Sequence, residues 1–147
     1  MTRTTSVVVR SAVGALAFLA LAGCHATPIT SARIEGSIAR TFANLVHVQV
    51  SSMGLPPMSA PDFGVKASCR KPGSSNNAGS GDWICTMVWR GPDRQTLRDT
   101  FDLFVGTDGC YTATAEGETL GGPTLKATNG RDVRNLLYTF EGCFDTM

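Results

Sequence analysis

The chain is poor in the residues on which most enzymes depend. Only two histidines, His25 and His47, occur in 147 residues, so any Ser-His-Asp relay would have to be built on one of them. There is no Gly-x-Ser-x-Gly elbow, no His-Glu-x-x-His pair and no phosphate-cradling Gly-x-x-x-x-Gly-Lys loop. These absences remove the signatures of α/β-hydrolases, zinc proteases and P-loop nucleotide enzymes. Gly79-Ser80-Gly81 lacks the third glycine and the preceding strand of a dinucleotide site. No Cys-x-x-Cys pair is present, so no metal site is expected. Charge of one sign is nowhere concentrated: 13 basic and 12 acidic side chains are scattered along the chain. Nucleic-acid binding needs a basic patch to neutralise phosphates and is therefore not expected. The longest apolar run is far short of the roughly 20 residues that cross a bilayer as a helix.

What the sequence does have is concentrated at its start. Arg3 and Arg10 flank a polar beginning without an acid, and Ala12 to Leu21 form a ten-residue apolar run. That length suits the hydrophobic region of a signal peptide. The run ends in Leu21-Ala22-Gly23-Cys24, which resembles the bacterial lipobox: an aliphatic residue, two small residues, then cysteine. The resemblance implies diacylglycerol on the thiol of Cys24 and cleavage between Gly23 and Cys24. The expectation is a signal peptide over 1–23, a tether over 24–29 and a single domain over 30–147. The protein would sit on the extracytoplasmic face of the cell membrane. Two or three acyl chains anchor firmly, because each buried CH₂ contributes about 0.8 kcal/mol. The tether spans about 20 Å at most, at roughly 3.5 Å per residue.

Removing the leader leaves 124 residues, with 11 basic against 12 acidic side chains. That is enough for one domain with a modest core. Four cysteines remain: Cys69, Cys85, Cys110 and Cys143. An even number in a small exported domain reads as two disulfides. Four cysteines allow three pairings; the sequential one, Cys69–Cys85 with Cys110–Cys143, is the expected one. It closes loops of about 17 and 34 residues, contributing about 3 and 4 kcal/mol by chain entropy.

Thr30 to Met53 reads as one helix. Ile34, Ile38, Phe42, Leu45 and Val46 fall at helical spacing, Thr30 or Ser31 can cap the start, and Glu35 lies in the first turns where the dipole favours an acid. Gly54 and Pro56-Pro57 end it. Val65–Arg70 alternates as a first strand. Lys71–Asp82 is a flexible surface loop by composition. Trp83–Arg90 is the clearest strand, with Trp83, Cys85, Met87 and Trp89 on one face and Ile84, Thr86 and Val88 on the other. Leu97–Val105 sets Phe101, Leu103 and Val105 on one side. Thr107-Asp108-Gly109 is a turn leading into a strand from Cys110 to Ala115. Residues 116–134 carry only isolated apolar anchors, Leu120, Leu125 and Val133. Leu136–Phe144 is a last extended or helical segment. The expectation is an α+β fold, one N-terminal helix packed on a four- to five-stranded antiparallel meander sheet with two disulfides. At the level of fold alone it is similar to cystatin-like helix-on-sheet domains.

Few residues are candidates for chemistry. His47 sits off the apolar stripe of the helix and reads as solvated, while His25 lies beside the lipid. Glu116 and Glu118 read as solvated turn residues. Asp99 and Asp102 fall on opposite strand faces and cannot act together. No catalytic residue and no cofactor beyond the lipid on Cys24 is expected. Trp83 and Trp89 share a strand face and are either core beneath the helix or a platform for a protein or cell-wall partner. The 71–82 loop is a second candidate contact, and nothing places Tyr111 or Tyr138 on either surface.

Three segments carry a wider resemblance: Asp-Trp-Ile-Cys-Thr at 82–86, Asp-Gly-Cys-Tyr-Thr-Ala-Thr at 108–114, and Phe-Glu-Gly-Cys-Phe-Asp at 140–145. They are similar to a group of small actinobacterial lipoproteins without an assigned activity. The resemblance implies a four-cysteine framework and a surface location, and it adds no catalytic residue. The functional expectation is a membrane-anchored, non-enzymatic module that binds a partner. The alternative is a small extracytoplasmic ligand binder, serving a transporter; a third reading, ranked below both, is a hydrolase with an unfamiliar site, which predicts polar residues converging in a cleft.

Overall fold

A computed structural model describes residues 28–144. The leader and Cys24 lie outside the described residues. The helix α1 spans Ser31–Ser52. Ile34, Ile38, Phe42, Val46 and Val50 recur every fourth residue and are all buried. Leu45 is only half-buried at the edge of that stripe. The β-branched tail stays helical because burial of Val46 and Val50 outweighs a propensity cost of a few tenths of a kcal/mol per residue. Gly54, at φ 73°, takes the left-handed position after the helix. This lets the Leu55 N–H donate to the Val50 carbonyl at 3.1 Å.

The start of the helix differs from expectation. Thr30 occupies the N-cap position, but its hydroxyl makes no cap bond. Its backbone instead forms a bridge with Ala78, and Ser31 N–H donates to the Asn77 carbonyl. Glu35 does not serve the helix dipole either. Its Oε1 accepts the backbone N–H of Cys69 at 2.8 Å, fastening the helix to the edge of the sheet.

Five strands follow in the main sheet: β1 (Lys66–Arg70), β2 (Gly81–Arg90), β3 (Thr96–Val105), β4 (Cys110–Ala115) and β7 (Thr139–Cys143). Their order is β1-β2-β3-β4-β7, every pairing antiparallel. The helix covers one face of this meander, as the hydrophobic patterns require. Between β4 and β7 the chain forms a separate ribbon, β5 (Thr124–Lys126) with β6 (Asp132–Arg134). Two buried amides hold that excursion in place. Asn135 Nδ2 donates to the carbonyls of Leu120 and Gly122, and Gln49 Oε1 accepts from Leu136 N–H at 2.7 Å. Backbone groups outside the ladder need such partners.

Both disulfides have the sequential pairing, Cys69–Cys85 and Cys110–Cys143. Each joins residues directly opposite one another on neighbouring strands. The register places them on opposite faces: Cys85 is fully buried under the helix, whereas Cys143 is exposed on the other side.

Candidate functional site

The period of two in β2 and β3 divides the domain into a dry face and a wet one. On the inner face Trp83, Cys85, Met87 and Trp89 of β2 are buried with Phe101, Leu103 and Val105 of β3. The Phe42 ring meets Trp89 edge-on at 4.9 Å and Phe101 at 5.7 Å. Trp83 is 1% and Trp89 3% exposed, and Trp83 Nε1 is spent on the Gly79 carbonyl at 3.0 Å. The tryptophan platform is therefore corrected: both rings are core, because Phe42 and its helix lie over the face they share. Tyr111 belongs to the same interior, where its hydroxyl donates to Thr41 Oγ1 at 3.1 Å and lies 3.4 Å from Ser37 Oγ. Tyr138 is half-buried against the core.

The outer face carries no element of the described chain. Row by row across the strands it presents Lys66, Val88 and Arg98, then Ser68, Thr86 and Thr100. Next come Arg70, Ile84, Asp102, Thr114 and Thr139, and finally Asp82, Phe104, Thr112 and Glu141. Phe104 is 62% exposed, the most exposed large apolar side chain among the described residues. Two shallow grooves meet at its ring. One, of about 430 Å³, runs over Asp82, Ile84, Asp102, Thr112 and Thr114; the other, of about 340 Å³, leads to Glu141 and the Cys110–Cys143 bridge. Sequence reasoning passed over Phe104, yet a signal was present: the ring interrupts the polar side of the Phe101–Leu103–Val105 alternation.

A third hollow, of about 590 Å³, lies where the chain after the helix meets the β2–β3 turn. Pro57, Pro61 and Pro92 wall it, with Arg90, Arg94 and Asp62 facing it. Arg94 holds a left-handed backbone at φ 64°, set by the turn bond from its N–H to the Gly91 carbonyl. The carboxylate of Asp62 accepts the hydroxyl and backbone N–H of Ser59. Those two bonds, with a lesser contribution from the charge of Arg94, hold its pKa below the ordinary value. Neither arginine forms an ion pair among the described residues, so both guanidinium groups are available to an anion.

The remaining candidates do not converge. His47 is exposed on the helix, with Nδ1 2.6 Å from the Met58 carbonyl. Glu116 and Glu118 are exposed. Asp99 is buried on the inner face, accepting the N–H groups of Thr100 and Leu120, while Asp102 is exposed on the outer face. Among the described residues no three His, Cys, Asp or Glu side chains cluster as metal ligands, and no helix is long and apolar enough to cross a membrane. The 71–80 segment is tied down rather than loose: Lys71 N–H donates to Asn77 Oδ1, Lys71 Nζ to the Ser80 carbonyl, and Gly79 N–H to the Ile29 carbonyl.

No protein-family model, curated protein or solved structure matches this chain.

Proposed function

We propose that this chain is an exported lipoprotein, cleaved before Cys24 and held on the extracytoplasmic side of the cell membrane by acyl chains on that residue. We further propose that its domain is a non-enzymatic module that binds a protein partner through the outer face of the sheet. The lipobox-like run Leu21-Ala22-Gly23-Cys24 supports the anchor, and two disulfides suit an oxidising exterior. The observation that carries the binding reading is Phe104, a mostly exposed ring at the meeting of two grooves on a face that no other described element covers. Around it stand threonines, which lose little side-chain entropy when covered. Charges of both signs lie at the edges, as in a polar rim around an aromatic anchor.

Two measurements test this reading. Intact mass of membrane-extracted protein should equal residues 24–147 plus acyl chains, with four thiols appearing only on reduction; a mass without lipid overturns the anchor. Crosslinking from the outer face should capture protein in the wild type and lose it on Phe104→Asp, while the circular dichroism of the variant stays unchanged. Equal capture by both would remove the outer face from the function.

The hollow between Arg90 and Arg94 favours a second reading, a small-ligand binder for an anionic group. Titration of the protein with inorganic phosphate or acetate, followed by the amide resonances of the 90–95 turn, tests it. Flat resonances to tens of millimolar would dismiss it.

A further inference from the structure

We infer that the occupant of the outer face is a second copy of this chain, forming a two-fold dimer in which the two sheets pack face to face. The inference rests on the reading that this face binds protein, and it names the partner. Its carrying observation is that the face is charge-complementary to itself. The end formed by Lys66, Val88 and Arg98, with Arg90 beyond it, is cationic. The other end, Asp82, Phe104 and Glu141 with Arg70 and Asp102 in the adjoining row, is anionic around an aromatic ring, three carboxylates against one guanidinium that stands apart on the edge strand β1.

A two-fold axis crossing the strands, between the Ser68–Thr86–Thr100 row and the Arg70–Ile84–Asp102 row, exchanges these ends. β3 of one copy then lies over β3 of the other. Arg98 comes over the face of the second copy's Phe104, beside its Asp82 and Asp102, and the reciprocal contact forms by symmetry. A guanidinium over an aromatic ring is a favourable contact, and the flanking carboxylates add charge. Along β2 and β3 the middle of the interface is Thr86, Thr100 and Ile84, short or stiff side chains of the kind that lets sheets pack about 10 Å apart, with Arg70 at its β1 margin. Like ends brought together in parallel would instead set arginine against arginine, so the charges also choose the orientation.

The same axis suits two anchors in one membrane. Ile29 and Thr30 lie against the β1–β2 connection, through Gly79 and Ala78. An axis running across the strands leaves Ile29 of both copies at the same, β1, edge of the dimer. With strands about 4.8 Å apart and paired residues about 6.8 Å along, the face covers roughly 500 Å² per copy. That is the low end for a specific interface, so the free domain dimerises weakly and the shared membrane supplies the effective concentration.

The test uses the full chain in the membranes of cells that express it, with a photo-reactive benzoyl-phenylalanine at position 104 and, as a control, at the exposed helix position of Val48. The expected product from position 104 has twice the mass of the chain, crosslinked to the β3 stretch around Arg98, and position 48 yields none. Arg98→Glu and Asp102→Lys should each lower the dimer at least tenfold, since each repels itself. Expressing the two variants together should restore it, because one contact becomes Glu–Lys and the other stays native. A product containing a different protein overturns the dimer while leaving the protein-binding reading intact. No product from position 104 overturns both. Dimer yield unchanged by the single reversals overturns the proposed orientation.

Discussion

The two faces of the main sheet share strands and backbone ladder, yet they solve opposite problems. The inner face buries Phe42, Trp89, Phe101 and Phe140 in edge-on and tilted ring contacts. The outer face leaves one ring, Phe104, in solvent among threonines and charges. Each face also carries one disulfide. Sulfur therefore does not distinguish the open face from the core; what distinguishes them is whether a described element of the chain lies on top.

The largest expected contrast is between the two phenylalanines. Phe42→Ala should destabilise the domain by about 3–5 kcal/mol, the range for a buried aromatic in a packed core. Phe104→Ala should change stability by about 0.5 kcal/mol or less, as for a surface substitution. Urea unfolding of both variants decides it, and a loss above about 2 kcal/mol for Phe104→Ala would mean that the outer face is core.

The disulfides sharpen the comparison because two of their properties run in opposite directions. Chain entropy depends on loop length, so the outer bridge, with a sequence separation of 33 against 16, should contribute slightly more: about 3.7 against about 3 kcal/mol. Reduction depends on access of an attacking thiolate, so the outer Cys110–Cys143 bridge should open first under mild reductant. Timed alkylation and peptide mass analysis of the native protein should find Cys110 and Cys143 labelled well before Cys69 and Cys85. The reverse order would contradict the assignment of faces.

A smaller effect is expected where the helix meets the sheet edge. Glu35→Ala removes the acceptor of the Cys69 N–H and should cost about 1–2 kcal/mol. Hydrogen exchange at Cys69 should quicken, and the β3–β4 ladder should be unaffected. The smallest effect concerns Asp62, whose pKa is lowered chiefly by the Ser59 hydroxyl and N–H. A carboxylate with a depressed pKa stabilises the fold above its unfolded value and loses that contribution as pH falls through the folded value. Ser59→Ala should move the Asp62 titration upward by NMR; an unmoved titration would assign the shift to another cause.

Much of this architecture was legible because it follows from short-range periodicity. The fourth-residue spacing from Ile34 to Val50 wrote the helix, and the alternation in β2 and β3 wrote the central strands. Gly54 marked the helix end, and Asp108-Gly109 the turn before β4. The ribbon of β5 and β6 was not legible, since three-residue strands with one apolar side chain each carry no period. Its position depends on Gln49 and Asn135, whose roles appear only when residues 87 and 15 positions apart meet. Glu35 was misjudged for the same reason: its partner lies 34 residues away.

The sequence by itself determined which residues share a face, because alternation is a property of the strand. It also carries the lipobox-like start and the number of bridges available. It did not determine which face the helix would take. By sequence Trp83 and Trp89 fit platform or core alike, and only Phe42 against Trp89 makes them core; Phe104 is one more hydrophobic residue in the sequence, and only the tertiary structure leaves it without a described element above it. That choice belongs to the tertiary structure, because burial is decided by an element distant in sequence and leaves no local trace in the strand that it covers.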